Sequence, residues 1–169
     1  MAKNWYFEIN DYCKNLSDIY DVPLIKVAAI MSALSPNNTV RHNIVSLEKF
    51  LRYKGDCKVT TFNGQKRKAL TILNSPDNIT VEEVKAILGE KKDAALKTKA
   101  FFDNIYRPET SQEVTVDLWM VRWAKIEGGL TPKRYRETAQ KIIDLAHEVG
   151  VLPHMMQAKL WVDIRGTAW

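Results

Sequence analysis

Apolar residues spaced three and four positions apart recur along almost the whole chain, and this spacing most restricts how it can fold. In the segment DVPLIKVAAIMSAL, Pro23 suits a first helical turn, and the apolar residues after it keep one helical face: Leu24, Val27, Ala28, Met31 and Leu34. A stripe of this kind predicts a buried central helix. The run most typical of a strand is much shorter, the β-branched segment Val114-Thr115-Val116.

The same periodicity appears on both sides of that segment. Before it, a stripe passes through Tyr6, Ile9, Cys13 and Leu16, and after it another passes through Ile44, Leu47 and Leu51. Shorter helices are predicted within residues 64–74, 80–89 and 97–106, a longer one between Thr131-Pro132 and Gly150, and a last one after Pro153. We therefore predict an all-α fold, a compact bundle of about nine or ten helices in a single domain over residues 1–169.

Composition narrows the class of protein further. A chain of 169 residues with 46% hydrophobic content suits one domain with a substantial core. Cys13 and Cys57 lack metal-ligand spacing, the three histidines are scattered, and neither a signal-peptide core nor a membrane-length apolar run is present. We expect a cytoplasmic monomer, in the host cytoplasm if phage-encoded, with no membrane association, no cofactor and no metal.

Positive charge is concentrated in one stretch of the chain. The formal net charge is +5, yet residues 1–48 carry four basic and five acidic side chains, whereas residues 49–68 carry seven basic side chains against Asp56 alone. A surface of this kind suits the phosphates of a nucleic acid, with Lys66, Arg67 and Lys68 as candidate DNA contacts. A solvated helix face and loop would explain the same charges.

Two short segments place polar groups beside apolar helices. In LSPNN, Pro36 forces the central helix to end, and Asn37 and Asn38 supply amide groups at its mouth, although the same residues are typical of a simple turn. In VTVDLWMVRW, Asp117 stands at a predicted strand-to-helix junction. It could be a helix N-cap, an active-site carboxylate, or both.

Three patches of the sequence resemble the helix-hairpin-helix DNA glycosylases: VAAIMSALSPNNTVRHNI, KTKAFFDN and VTVDLWMVRW. The first is similar to their N-terminal helix and polar turn, the second to the second helix of their hairpin, and the third to a loop and helix that begin with a Val-Asp pair. Lys97 and Lys99 precede Asp117 by 20 and 18 positions, an interval similar to that in the lyase members. The likeness covers most of residues 22–165 and extends to small phage proteins.

The resemblance implies a DNA glycosylase-like fold and the excision of a flipped base from DNA. Asp117 would be the catalytic carboxylate, which the neighbouring Val116 and Leu118 would keep from water, and Lys97, or else Lys99, would be a Schiff-base nucleophile. Candidates for the base pocket are the aromatic and amide side chains Trp119, Trp123, Trp161, Asn37, Asn38 and Gln157. The tryptophans could equally be core residues.

The sequence departs from that family at the hairpin itself. The glycine-rich turn that holds a DNA phosphate is replaced by LGEKKDAALKTK, in which only Gly89 remains, and Lys91 and Lys92 would contribute charge in place of backbone amides. The four-cysteine iron-sulfur motif of some relatives is absent. Two further function classes therefore stay open, a DNA-binding module that has lost catalysis and a phage factor whose basic surface meets an acidic host protein.

Overall fold

Nine α-helices form the secondary structure of the computed structural model, which describes residues 4–166. No β-strand occurs within that range, so the all-α prediction is confirmed. None of these helices has the combination of length and apolarity that crossing a bilayer requires. The helices are α1 (Trp5–Tyr20), α2 (Leu24–Ala33), α3 (Val40–Arg52), α4 (Asn63–Leu73), α5 (Val81–Leu88), α6 (Leu96–Tyr106), α7 (Leu118–Trp123), α8 (Pro132–Val149) and α9 (Pro153–Arg165).

Capping side chains fix where several helices begin. Thr39 accepts a hydrogen bond from the backbone N–H of His42 at the start of α3, and Thr80 forms a capping box with Glu83 at the start of α5. At α8, Thr131 caps a helix that starts with a proline. Gly150 ends α8 in the left-handed region at φ 80°, where glycine carries no steric penalty, so both predicted ends of this helix are confirmed.

Helix α2 is the central helix, as predicted. Every residue from Ile25 to Leu34 is buried, and neighbours surround it on all sides: α1, α3, α4, α5 and α6. Its two buried polar side chains are satisfied, because Lys26 donates to the carbonyl oxygen of Ser75 and pairs with Asp77, while Ser32 donates to the carbonyl oxygen of Thr98. The helix is therefore buried around its whole circumference, more deeply than a single apolar stripe predicts.

The buried apolar residues form two separate clusters. The large core surrounds α2 and is built from α1 to α6, with Ala158 of α9. The small core joins the segment from Val114 to Val121 with α8 and α9. Trp5, the first residue of α1, packs against both cores, and the gap between them is where the candidate site lies.

The segment Val114 to Val116 has no regular secondary structure, so the predicted strand-to-helix junction is wrong in its first half. No second chain segment pairs with its backbone as a strand within residues 4–166. The Tyr135 hydroxyl hydrogen-bonds to this backbone instead of a second strand. It donates to the Val114 carbonyl oxygen at 2.6 Å and accepts from the Val116 N–H at 3.3 Å. Burial raises the pKa of Tyr135, which keeps this hydroxyl protonated.

Candidate functional site

A cavity of about 220 Å³ lies between the two cores. It draws side chains from α1, α3, α6, α7 and α9, from the polar turn after α2 and from the segment before α7. We call it the inter-core cavity and define it by its lining: Trp5, Tyr6, Ser35, Asn38, Thr39, Val40, Asn43, Lys97, Phe101, Thr115, Asp117, Trp119, Gln157, Trp161 and Arg165. Six sequence candidates, Asn38, Lys97, Asp117, Trp119, Gln157 and Trp161, thus share one cavity although they lie up to 123 positions apart.

Asp117 is held in place by two hydrogen bonds, one to each carboxylate oxygen. Oδ1 accepts the backbone N–H of Met120 at 3.0 Å, the N-cap bond of α7, and Oδ2 accepts the indole N–H of Trp161 at 2.7 Å. The side chain is half-buried and lines the cavity. It is therefore a cap and a cavity carboxylate together, with an orientation fixed before any ligand enters.

Aromatic rings make up much of the cavity wall. Trp5 stacks on Tyr6 with 4.0 Å between ring centroids and meets Trp161 at 5.5 Å, and Phe101 lies against both Trp5 and Tyr6. Arg165 places its guanidinium 4.3 Å from the ring centroid of Trp161, a cation–π contact at the edge of the cavity. Such walls favour a flat ring as occupant, and the small volume limits the occupant to about one ring system.

Two amide side chains of the cavity are fixed by protein contacts. Gln157 is buried and its Oε1 accepts from the Tyr6 hydroxyl at 2.7 Å. Burial raises the pKa of Tyr6 well above its ordinary range, so this hydroxyl remains a donor. Asn38 donates from Nδ2 to the carbonyl oxygen of Leu34, which ties the polar turn to the end of α2.

The structure separates the two candidate lysines. Lys97 is exposed and lines the inter-core cavity, where it forms no ion pair within 4.0 Å with Asp117 in the described part of the chain. Lys99 lies two positions further along α6, on another face, and donates to the carbonyl oxygen of Lys91 at 3.0 Å. Burial, together with the charges of Lys85 and Lys68, lowers the pKa of Lys99. Lys99 does not line the inter-core cavity.

A second opening, of about 440 Å³, adjoins the inter-core cavity and shares Ser35 and Lys97 with it. Asn37 belongs to this adjacent cleft and not to the inter-core cavity, so the two asparagines of the LSPNN turn face different openings. Asn37 is exposed with φ 60°, a left-handed conformation that asparagine tolerates better than most residues. The adjacent cleft also contains Asp93, Gln65 and the first residues of α6 and α8.

The three tryptophans that the sequence analysis names as candidates for the base pocket occupy three different environments. Trp161 is 7% exposed and belongs to the small core as well as to the cavity wall, whereas Trp119 is 38% exposed and stands at the cavity rim with Arg122 over its ring. Trp123 packs against the small core and does not line the inter-core cavity. Leu118 is 48% exposed, so the expectation that it keeps water from Asp117 is wrong, because α7 turns that position outward.

The basic candidates differ in how much charge they present to solvent. Lys66 and Lys68 are half-buried, and their ammonium groups donate to the carbonyl oxygens of Cys57 and Leu88. Arg67, Lys91 and Lys92 are exposed. The stretch that carries the chain's excess charge is therefore partly used to hold the loops around α4.

Nine of the fifteen lining residues were not predicted from the sequence, among them Trp5, Tyr6, Asn43 and Arg165. Tyr6 belongs to a stripe that predicts only a core helix, Trp5 directly precedes that stripe, and Arg165 follows the last apolar turn. Asn43 gave a signal that could have been used, since it lies four positions before Leu47, on the apolar face of an amphipathic helix. A polar residue at a buried position needs a partner or a function.

Metal-binding groups do not gather at this site. Over residues 4–166 no group of three or more histidine, cysteine, aspartate or glutamate side chains has an arrangement that could hold a metal ion. The chemistry available in the cavity is that of a carboxylate, an amine, a guanidinium, amides and indole N–H groups.

The chain belongs to a family of unknown function (DUF7178), whose model matches residues 1–168. No curated protein and no solved structure matches the chain. Family membership therefore brings no activity with it, and the chemistry of the cavity is the basis for a functional proposal.

Proposed function

We propose that this member of the DUF7178 family is a DNA glycosylase, which excises a damaged or modified base after the base has left the helical stack and entered the inter-core cavity. The helix-hairpin-helix glycosylase-like interpretation of the fold is part of the same proposal. Asp117 is its catalytic carboxylate, and Lys97 is the nucleophile if the enzyme also acts as a lyase.

One observation carries the proposal: a fixed carboxylate and a lysine with no ion pair among residues 4–166 line a single cavity whose walls are aromatic rings and amides. A flipped base requires flat faces for stacking and polar groups for its edge. Cleavage of the bond between base and sugar requires a negative charge close to the anomeric carbon. Both requirements are met by residues around the same small space.

Asp117 is suited to stabilise the positive charge that develops on the sugar. Its two hydrogen bonds fix the carboxylate while leaving each oxygen a further lone pair for contact with substrate or water. In the hydrolytic reaction, Asp117 takes a proton from water as the water oxygen bonds to the anomeric carbon. The base departs with the electron pair of the broken bond and is then protonated.

Lys97 is the better candidate for a lyase step because Lys99 does not reach the cavity. In that step the neutral amine bonds to the anomeric carbon, the base leaves with the bonding electrons, and ring opening gives a Schiff base between lysine and sugar. Elimination of the neighbouring phosphate then breaks the strand. The exposed position of Lys97 at the junction of two openings leaves it room to meet a sugar.

The connection between α5 and α6 lacks the glycine-rich turn of the helix-hairpin-helix family but offers other groups for contact with DNA. A Cβ atom at Gly89 would lie 2.9 Å from the carbonyl oxygen of Ala94, so this tight turn requires a glycine. Lys91 and Lys92 are exposed in the same turn, where they would meet phosphates by charge. Arg67 offers a further exposed cation on α4.

The test uses duplex and single-stranded oligonucleotides that each carry one damaged or modified base. Base release is measured by chromatography of the free base, and DNA binding is measured in parallel at low salt. We expect the wild type to release at least one base of the panel, and Asp117→Asn, which keeps a competent helix cap, to lose release by orders of magnitude while still binding DNA.

Borohydride trapping separates hydrolysis from a lyase step. Lys97→Gln should abolish trapping, and Lys99→Gln is the matched control because it removes a lysine from the same helix on a face that does not line the cavity. Full base release by Asp117→Asn would show that the carboxylate is only a cap. DNA binding without release of any base by the wild type would favour a binding module instead.

A further inference from the structure

Asn43 carries a buried polar atom for which no hydrogen bond of the described chain accounts. It lies on α3 and is only 2% exposed, yet its side-chain oxygen has no hydrogen-bond partner among residues 4–166. Buried carboxamides are ordinarily satisfied, because an unpaired polar atom away from water is destabilising. Asn10, equally buried on α1, shows the usual case: its Nδ2 donates to the carbonyl oxygens of Ile105 and Tyr106.

The unpartnered oxygen of Asn43 has a counterpart in Trp5. The indole N–H of Trp5 is likewise buried and without a hydrogen-bond partner in the described chain. Both residues line the inter-core cavity, one from α3 and one from the start of α1. The lining of one small cavity thus includes two residues with a buried polar atom, one an acceptor and one a donor, that has no hydrogen-bond partner among residues 4–166.

We propose that Asn43 is the specificity-determining residue of the inter-core cavity, and that it recognises the polar edge of a planar nitrogen heterocycle. The Asn43 carboxamide oxygen accepts an N–H of the ring edge, and the Trp5 indole N–H donates to an acceptor on the same ring. The ligand class is a nucleobase-like ring with at least one donor and one acceptor. The inference rests on the proposed function for its assumption that the ring reaches the cavity as part of DNA.

The residues proposed for recognition of the ring and the carboxylate proposed for catalysis are positioned by different helices. Asn43 and Trp5 belong to α3 and α1, whereas Asp117 caps α7 and its partner Trp161 belongs to α9. A ring that lies between these walls would present its edge to Asn43 while its bond to the sugar points toward Asp117. A flat apolar ring of the same size could stack on the aromatic walls but would leave both polar atoms unpaired.

The first experiment measures binding of free rings through quenching of tryptophan fluorescence and by calorimetry. The probes are thymine and hypoxanthine, with toluene and indene as apolar rings of similar shape. The wild type should bind each heterocycle at least about tenfold more tightly than its apolar counterpart, since the counterpart leaves the two buried groups unpaired. Asn43→Leu should reverse that preference, with weaker heterocycle binding and equal or tighter apolar binding.

Thermal unfolding of the same variants in the absence of ligand is the second readout. Removal of an unpartnered buried amide should leave the melting temperature of Asn43→Leu unchanged or raise it by about 2–4 °C. The matched variant Asn10→Leu should melt at a lower temperature, because its substitution leaves two backbone carbonyls without their donor. If Asn43 instead stabilises the fold, Asn43→Leu should lower the melting temperature as Asn10→Leu does.

The outcomes distinguish this inference from the proposed function. The recognition role is supported if Asn43→Leu loses the preference for heterocycles and Asp117→Asn keeps it. If the wild type in addition releases no base, the glycosylase proposal is removed while the recognition role stands. Equal binding of heterocyclic and apolar rings by the wild type, or no heterocycle binding at all, overturns the role of Asn43. Unchanged heterocycle binding by Asn43→Leu does the same.

Discussion

The inter-core cavity has one wall from α7 and α9 and another from α1 and α3. The two walls contain similar residues but differ in whether the polar groups of those residues are hydrogen-bonded. On the wall from α7 and α9, Asp117 and Trp161 satisfy one another and the carboxylate also caps a helix. On the wall from α1 and α3, Trp5 and Asn43 bury an indole N–H and an amide oxygen that have no hydrogen-bond partner in the described part of the chain. Tryptophan and a short polar side chain are present on both walls, so residue type does not explain the difference.

The contrast indicates what each wall contributes. A satisfied polar group is held in one orientation and stabilises the folded state, which suits a group that must be positioned before a reaction. An unsatisfied buried group destabilises the free protein and recovers that free energy only when a ligand pairs with it. The α7 and α9 wall is therefore preorganised, whereas the polar groups of the α1 and α3 wall are available to pair with a ligand.

The largest effect on stability is expected from Asp117→Ala. This change removes the cap of α7 and leaves the Trp161 indole N–H without its acceptor, so the free energy of unfolding should fall by about 2–4 kcal/mol. Asp117→Asn keeps an oxygen and should lose roughly half as much or less. Urea denaturation followed by circular dichroism measures both, and equal losses would show that the two hydrogen bonds do not stabilise this wall.

A matched pair of tryptophan substitutions tests the contrast directly. Trp161→Phe and Trp5→Phe remove similar apolar area, but only the first removes a hydrogen bond, the one to the Asp117 carboxylate. Trp161→Phe should therefore be more destabilising than Trp5→Phe by about 1–2 kcal/mol in the same urea experiment. The contrast between the walls fails if Trp5→Phe costs as much or more.

The smallest effect is a pH dependence located at the start of α9. His154 is buried, its Nε2–H donates to the Pro108 carbonyl oxygen at 2.7 Å, and its Nδ1 lies 3.5 Å from the Asn4 amide nitrogen. Burial lowers the pKa of His154, against an opposing contribution from the Pro108 carbonyl and from Asp103 and Glu109. The neutral ring is therefore the form that the folded state prefers.

A depressed pKa in the folded state stabilises the protein above the ordinary histidine pKa of about 6.5, and that stability is lost as pH falls through the folded-state value. Between pH 7 and 5 the free energy of unfolding should fall more steeply in the wild type than in His154→Gln, by at most about 1.4 kcal/mol per pH unit. His147→Gln, at an exposed position on α8, should follow the wild type. Parallel curves for wild type and His154→Gln would show that His154 does not titrate in this range.

The helical architecture was largely predictable because its causes are local. The stripe from Leu24 to Leu34, Thr131 with Pro132, and Gly150 act over one or two helical turns, and the structure contains each helix that they predict. The segment directly before Asp117 was not predictable in the same way. Its backbone is satisfied by Tyr135, a residue about twenty positions away in sequence, where no local pattern indicates a contact.

Part of the candidate site was also indicated by sequence. Asp117 is marked by its position at a helix start. Lys97, the preferred lysine, lines the cavity and Lys99 does not, while the role of either lysine stays a prediction. Asn37 and Asn38 were indistinguishable as neighbours in one turn. They face different openings because the left-handed conformation of Asn37 reverses the chain between them.

The sequence by itself determined the helices, their caps, the buried central helix and the carboxylate at the start of α7, because spacing and capping depend on neighbours along the chain. Only the tertiary structure decided which polar groups have partners. Asn43 and Asn10 are both asparagines on buried helix faces, yet one is satisfied by carbonyls at the end of α6 and the other is not. Hydrogen bonding between residues far apart in sequence depends on how the helices pack. At the cavity between the two cores, this packing leaves the Asn43 side-chain oxygen and the Trp5 indole N–H without a hydrogen-bond partner among residues 4–166.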